Sequence, residues 1–168
     1  TGTGGDVKGW ILMLGAALAA LPASAEEVPF NGRTLEVATG QEARPILSMT
    51  TTQYVLPLTQ AQLLARVPAC LSAQGIAATS TDAAQGAVQA EVLTRFRASF
   101  ASRILRSQLR LDVGEGFFQL SESAFEVAEE ADDGAPAYGP LAQSGGIWEK
   151  GLETLVEAEN RIIDCLYR

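Results

Sequence analysis

Two segments in the middle of the chain alternate apolar and polar residues with a period of two. This alternation predicts antiparallel strands that each have one buried and one solvent-facing side. The predicted buried positions are Val88, Ala90, Val92, Thr94 and Phe96 in segment 87–97, and Leu105, Ser107, Leu109, Leu111 and Val113 in segment 104–113. Gly114-Glu115-Gly116 then predicts a hairpin turn into a returning strand over 117–127.

Two other segments repeat apolar residues at steps of three and four, which is the spacing of one helix face. The first covers about 60–74, begins after a Thr59–Gln62 capping box, and contains Pro68, which is expected to kink it. The second covers 147–166, and its apolar stripe consists of Trp148, Leu152, Leu155, Ile162 and Leu166. The sequence therefore predicts an α+β fold, in which an antiparallel sheet of four to five strands has both helices packed on one face.

The first 25 residues have the features of a secretory signal peptide. Translation is expected to start at Val7, Lys8 supplies the positive flank, and residues 10–21 form an apolar run. Pro22 ends that run, and Ala23-Ser24-Ala25 fits a small-residue cleavage site. An anchor that stays attached is the alternative, but the run is far shorter than the ~20 residues that span a bilayer. Cleavage near Ala25 predicts a periplasmic or secreted protein without a membrane span in its mature chain.

The segment after the leader contains several residues that interrupt regular structure, among them Asn31-Gly32, Gly40 and Pro45. Residues 26–50 are therefore expected to form an N-terminal arm. Residues 51–168 are expected to form a single α+β domain, since their number suits one domain.

The composition of the chain excludes several kinds of chemistry. Its 168 residues carry a net charge of −8 and include no histidine. The negative charge repels nucleic acid, which is therefore not an expected partner. Without histidine, Ser-His-Asp and Cys-His catalysis and the commonest zinc, copper and iron ligand sets are excluded. We predict no catalytic, cofactor-binding or metal-binding residues and no cofactor.

Cys70 and Cys165 are the only cysteines of the chain. An even number of cysteines in an exported protein favours a disulfide. Both fall on the apolar faces of predicted helices, and two helices on the same sheet face would bring the thiols together. Two separate buried thiols are the alternative.

Arginines cluster in the predicted sheet, where Arg95, Arg97, Arg103, Arg106 and Arg110 fall within 16 positions. The alternation places all of them on the polar side of adjacent strands except Arg103, which is expected in the connection. Because a guanidinium binds carboxylates and phosphates in forked geometry, Arg95, Arg97, Arg106 and Arg110 are candidate partner-binding residues. The alternative is a solvated face that is balanced by Glu91, Asp112, Glu122 and Glu126.

An acidic segment follows the last predicted strand, and residues 129–145 are expected to form a loop. Its carboxylates are Glu129, Glu130, Asp132 and Asp133. A calcium site is one interpretation, although the spacing is not that of an EF-hand. A solvated loop is the other.

Four short motifs occur in an order that resembles one group of bacterial proteins. They are Tyr54-Val55-Leu56-Pro57 before a helix, Asp82 with Gly86 in a turn, the segment Leu109 to Phe118, and Ile147-Trp148-Glu149-Lys150 at the start of the last helix. From Tyr54 to Leu166 the chain resembles bacterial envelope-protein domains of unknown function with a TATA-binding-protein-like fold. The resemblance implies a helix-on-sheet fold and export, and it implies no activity.

The sequence thus predicts an exported domain that acts by binding, with another envelope protein as the expected partner. Two alternatives stay open at this point. One is a small envelope hydrolase that uses carboxylates, which needs a concave site with a carboxylate of raised pKa. The other is a carrier with an apolar pocket between helices and sheet.

Overall fold

The computed structural model describes Gly2 and residues 24–168 of the chain. Most of the predicted signal peptide therefore lies outside the described residues. Among the residues described, no helix is long and apolar enough to cross a membrane.

Nine strands and two α-helices make up this part of the chain. The strands are Ala25–Phe30 (β1), Arg33–Ala38 (β2), Ile46–Thr50 (β3), Tyr54–Val55 (β4), Ala78–Asp82 (β5), Ala87–Ala98 (β6), Ala101–Gly114 (β7), Phe117–Glu129 (β8) and Gly139–Pro140 (β9). The helices are Gln60–Ser72 (α1) and Trp148–Tyr167 (α2), and a 3-10 turn covers Gln143–Gly145.

The strands form one antiparallel sheet in the order β1-β2-β3-β8-β7-β6-β5. One edge of β8 pairs with β7 along most of its length. The opposite edge pairs in turn with the short strands β4, β3 and β9. The α+β class is confirmed, but the predicted number of four to five strands is wrong because the sheet has nine.

The additional strands come largely from residues 26–50, which the sequence predicts as an arm. These residues form β1, β2 and β3, and β3 joins them to the centre of the sheet. Gly40 and Pro45 lie in the loop between β2 and β3 and not inside a strand. Leu35 and Val37 on β2 are fully buried, so this segment contributes to the main core. Strand β9 has only two residues, too few for a periodic pattern to reveal.

The strands predicted from alternation are confirmed. Strand β6 buries its predicted apolar positions, and so does β7. The turn between β7 and β8 lies at Glu115-Gly116, as the Gly-Glu-Gly motif predicts. The common buried side of these strands forms the inner face of the sheet, and the other side is called the outer face below.

Both helices cover the inner face. Helix α1 contacts β7, α2 contacts β6, and the two helices contact each other. At the start of α1, Thr59 Oγ1 accepts from the Gln62 N–H and Gln62 Oε1 accepts from the Thr59 N–H, so the predicted capping box is confirmed. Gly151 lets α2 approach the sheet closely, since a Cβ there would lie 3.1 Å from Phe96 Cζ.

Candidate functional site

The four candidate arginines lie on the outer face. Arg95 and Arg97 belong to β6, and Arg106 and Arg110 belong to β7. Arg103 was expected in the connection between the strands, but it lies within β7 directly opposite Phe96. It therefore faces the inner side, because Phe96 is one of the buried residues there. The expectation for Arg103 is wrong because the connection is only two residues long, Ser99 and Phe100.

Three of these four arginines already have partners within the chain. The ion pairs are Arg95 with Glu130 at 2.9 Å, Arg106 with Glu126 at 3.1 Å, and Arg110 with Asp112 at 2.9 Å. The hydrogen bond to Asp112 raises the pKa of Arg110. The guanidinium of Arg106 also lies 3.8 Å from the centroid of the Tyr138 ring. These contacts leave less of the arginine charge on the outer face free for an external partner.

Arg97 differs from the other three. It is exposed, and among residues 24–168 no carboxylate lies within 4.0 Å of its guanidinium. It lies near the end of β6 and is followed at once by the hairpin turn. Of the four candidate arginines, Arg97 on β6 is therefore the one whose guanidinium is best placed to bind an external partner.

Residues 91–97 of β6 have no strand partner on one side. Strand β5 pairs with β6 only between Ala87 and Ala90, and no other described segment continues that edge. We call residues 91–97 the open edge. An edge of this kind is a template on which another extended chain can pair.

The direction of the backbone groups on the open edge follows from their neighbours. In an antiparallel ladder, the N–H and C=O of one residue point to the same side, and that side alternates along the strand. The carbonyl of Gln89 accepts from Thr79 Oγ1 on the β5 side, at 3.1 Å. Residues 91, 93, 95 and 97 follow Gln89 in steps of two, so their N–H and C=O groups point away from β7.

A cleft of about 510 Å³ lies beside the open edge. Residues 91–95 form one wall, and Thr154, Ala158 and Arg161 of α2 form the other. Leu93 belongs to this wall and is 49% exposed. The cleft thus combines free backbone groups, one exposed apolar side chain and charged rims.

The hairpin turn at the end of the open edge has an unfavourable backbone. Ser99 and Phe100 both have positive φ, at 51° and 63°, in a two-residue turn that favours Asn-Gly. Phe100 is also 97% exposed. Backbone strain of this kind is commonly found at functional positions.

A second unusual feature lies inside the protein, between the sheet and α2. Glu122 on β8 and Glu159 on α2 are each 1% exposed, and Arg33 on β2 is 7% exposed. Arg33 Nε donates to Glu159 Oε2 at 2.9 Å. Neither oxygen of Glu122 has a hydrogen-bond partner among the described residues, and neither does Ser107 Oγ. Glu122 was expected on the outer face, but it continues the inward alternation of Phe118 and Leu120. The bulge opposite Ser107 reverses the alternation only beyond Glu122, so Glu126 lies on the outer face.

Burial raises the pKa of both carboxyl groups. For Glu122, the loss of solvation raises the pKa well above 4.5, and repulsion from Glu159 adds to the effect. The nearby Ser107 side chain lowers the pKa of Glu122, but it is the weakest of the three effects, and its Oγ makes no hydrogen bond among the described residues. For Glu159, burial raises the pKa to about 7, although Arg33 opposes the shift. Both groups thus favour the protonated form far more than an exposed glutamate does.

The sequence analysis missed this cluster, although each residue follows a visible pattern. Glu159 continues the stripe of α2 at the step between Leu155 and Ile162. Glu122 continues the alternation of Phe118 and Leu120 on β8. A charged residue at an inward position of a periodic pattern was the signal that could have revealed the buried pair.

The predicted disulfide is present. Cys70 of α1 and Cys165 of α2 are bonded, with Cα atoms 5.6 Å apart. The bond joins the two helices over the inner face, and it closes a loop across a sequence separation of 95.

Two carboxylates at the end of β8 and just after it contact arginines. Glu130 pairs with Arg95, and Glu129 lies 4.0 Å from Arg103. The expected loop also contains β9 and the 3-10 turn. In the described part of the chain, no group of three or more carboxylate or cysteine ligands is placed to hold a metal ion.

Two solved structures share this architecture. A TBP-like protein from Parabacteroides distasonis matches with a TM-score of 0.58 at 8% identity, over 83% of this chain and 96% of that one. A DUF4468 family protein from Bacteroides ovatus matches with a TM-score of 0.51 at 11% identity, over 84% of this chain and 91% of that one.

The chain has a TBP-like fold. This confirms the resemblance between Tyr54 and Leu166 at the level of fold. No protein-family model and no curated protein sequence matches the chain. At such low identity a TBP-like fold carries no activity with it.

Proposed function

We propose that the protein is an exported binding domain that takes an extended segment of a partner protein as an additional strand at the open edge. The observation that carries this proposal is the run of unpaired backbone groups over residues 91–97 beside a cleft. Main-chain hydrogen bonds supply the affinity in this mode of recognition, and pockets for alternate side chains supply the specificity.

Export is supported by two independent features. The leader over residues 1–25 has the order of a signal peptide. The Cys70–Cys165 disulfide is of a kind that persists in oxidising compartments outside the cytoplasm. When the protein is produced in bacteria with its own leader, its intact mass is expected to match a chain that begins at Glu26 and to lie two hydrogen atoms below the value for the reduced form. A mass that retains the leader contradicts cleavage and export, whereas a free thiol pair in periplasmic protein contradicts the disulfide.

A carboxylate hydrolase is less well supported. The carboxyl groups with raised pKa are Glu122 and Glu159, and both are closed off from solvent. A substrate cannot reach them without opening the core. An apolar carrier is also less well supported, because charged and hydroxyl side chains such as Glu91, Arg95 and Thr154 line the cleft.

The proposal is tested by placing a photo-reactive amino acid in the full chain, in the producing cell. One variant carries it at Leu93 on the open edge, and the control carries it at Gln108 on the outer face. Both positions are exposed, and Gln108 lies between Arg106 and Arg110. We expect adducts from position 93 and few from position 108. Adducts from position 108 alone would show that the partner binds the outer face and not the open edge. Adducts from neither position would contradict a binding role.

A further inference from the structure

The open edge has well-defined limits at both ends. It begins after Ala90, where the pairing with β5 stops, and it ends before the hairpin turn at Ser99 and Phe100. A segment that adds to this edge therefore has room to pair along residues 91–97 and no further.

The outer-face side chains of this stretch are Glu91, Leu93, Arg95 and Arg97, in that order. When a second copy of the strand runs antiparallel to the first, each of these side chains faces one of complementary character. If the open edges of two copies pair antiparallel with Thr94 on the two-fold axis, Glu91 of one copy lies opposite Arg97 of the other. Leu93 then lies opposite the aliphatic stem of Arg95. The symmetry repeats both contacts.

The backbone directions fit the same register. Residues 91, 93, 95 and 97 point their N–H and C=O groups outward, and in this register they meet only each other across the junction. Opposed residues can thus exchange both backbone hydrogen bonds, which makes a regular antiparallel ladder. On the inner side Val92 meets Phe96 of the second copy, and Thr94 meets Thr94.

We propose that the partner strand at the open edge is the open edge of a second copy of this chain, so that two sheets join into one across a two-fold axis. This inference rests on the proposed function. It assigns a role to Arg97, for which residues 24–168 supply no carboxylate within 4.0 Å, since Glu91 of the second copy supplies one. It also covers the exposed Leu93.

The oligomeric state of the oxidised mature chain tests the proposal, measured by sedimentation velocity over a range of concentrations. The wild type is expected to dimerise. Glu91→Arg places like charges opposite each other twice by symmetry and is expected to weaken the dimer at least about tenfold. The swap Glu91→Arg/Arg97→Glu restores opposite charges and is expected to restore the dimer. Arg110→Glu, on the same face but away from the edge, is the matched control and is expected to change little.

A second variant tests the backbone contacts. Leu93→Pro removes an N–H that points to the open edge and takes no part in the β6–β7 ladder, so the monomer fold is expected to survive. Circular dichroism of this variant checks the fold, and loss of the dimer is expected. A dimer that survives both Leu93→Pro and Glu91→Arg overturns the proposal, and so does a wild type that stays monomeric. If the wild type is monomeric while position 93 still cross-links to another protein, only the second-copy assignment fails and the binding edge stands.

Discussion

Arg33 and Glu159 form a buried ion pair that joins β2 to α2. Arg33 Nε lies 2.9 Å from Glu159 Oε2, and the side chains are 5% and 1% exposed. The remaining guanidinium nitrogens donate to Asn160 Oδ1 at 2.8 Å and to the Asn31 carbonyl at 3.1 Å. Arg33 is therefore satisfied, whereas Glu159 Oε1 has no partner among the described residues.

Removing the cation alone is expected to destabilise the protein strongly. Arg33→Met leaves Glu159 buried without a counter-charge, and such losses amount to about 3–5 kcal/mol. Urea unfolding at pH 8 measures the change. The double variant Arg33→Met/Glu159→Leu is expected to recover most of the stability because it removes both charges of the pair. Arg44→Met is the control, since its pair with Glu26 is exposed and is expected to contribute less than ~1 kcal/mol. Equal losses for Arg33→Met and Arg44→Met would contradict this account.

The buried carboxyls are expected to make the protein less stable as pH rises. The folded pKa of Glu159 is about 7, which lies above the ordinary 4.5, so the folded state holds the proton more tightly than the unfolded state. The resulting stability is present below pH 4.5 and is lost as pH rises through 7, by roughly 3 kcal/mol for this group. Glu122 acts in the same direction.

Urea unfolding at several pH values between 4.5 and 8 measures this slope. Glu159→Gln cannot ionise, so it is expected to flatten the profile. Glu157→Gln, two residues earlier and on the exposed side of α2, is expected to leave the slope as in the wild type. A wild-type stability that rises steadily over this range would refute the assignment.

Loss of the disulfide is expected to cost on the order of 4 kcal/mol. The bond closes a long loop, so its removal releases considerable entropy in the unfolded chain. Cys70→Ala/Cys165→Ala avoids placing a hydroxyl in the core, and chemical denaturation compares it with the oxidised wild type. A variant as stable as the wild type would mean that packing of α1 on α2 suffices without the bond.

Substitutions in the hairpin turn between β6 and β7 are expected to stabilise the folded protein. Asn and Gly tolerate the positive φ of Ser99 and Phe100, so Ser99→Asn/Phe100→Gly is expected to raise the unfolding free energy by about 1 kcal/mol or more. Phe100→Ala keeps an ordinary side chain at positive φ, so it serves as the control and is expected to change stability little. Thermal unfolding distinguishes the two, and an equal effect of both would show that exposure of the ring, and not the backbone, is the cause.

Periodicity in the sequence is sufficient to predict the long elements. Strands β6 and β7 alternate over many residues, and α2 repeats its stripe over 20 residues, so local pattern alone indicates them. The same pattern places both cysteines on helix faces that must be buried, but the bond between them also requires that α1 and α2 pack side by side.

The pattern is weaker where strands are short or interrupted by loops. Residues 26–50 contain three strands of five or six residues separated by Gly- and Pro-containing segments, which resemble an irregular arm. Their membership of the sheet depends on β3 pairing with β8, a contact between residues more than 70 positions apart. The local pattern of a strand does not record which distant strand it pairs with.

The sequence by itself determined the α+β class, the two helices, the long hairpins and the helix faces that carry the cysteines, because each follows from a local repeat that must hide its apolar side. The tertiary structure decided that Arg33, Glu122 and Glu159 meet inside the core. It also decided that the pairing of β5 with β6 stops at Ala90 of β6 and leaves an open edge. These features depend on which distant segments come together and where their pairing ends, and a one-dimensional pattern does not contain that information.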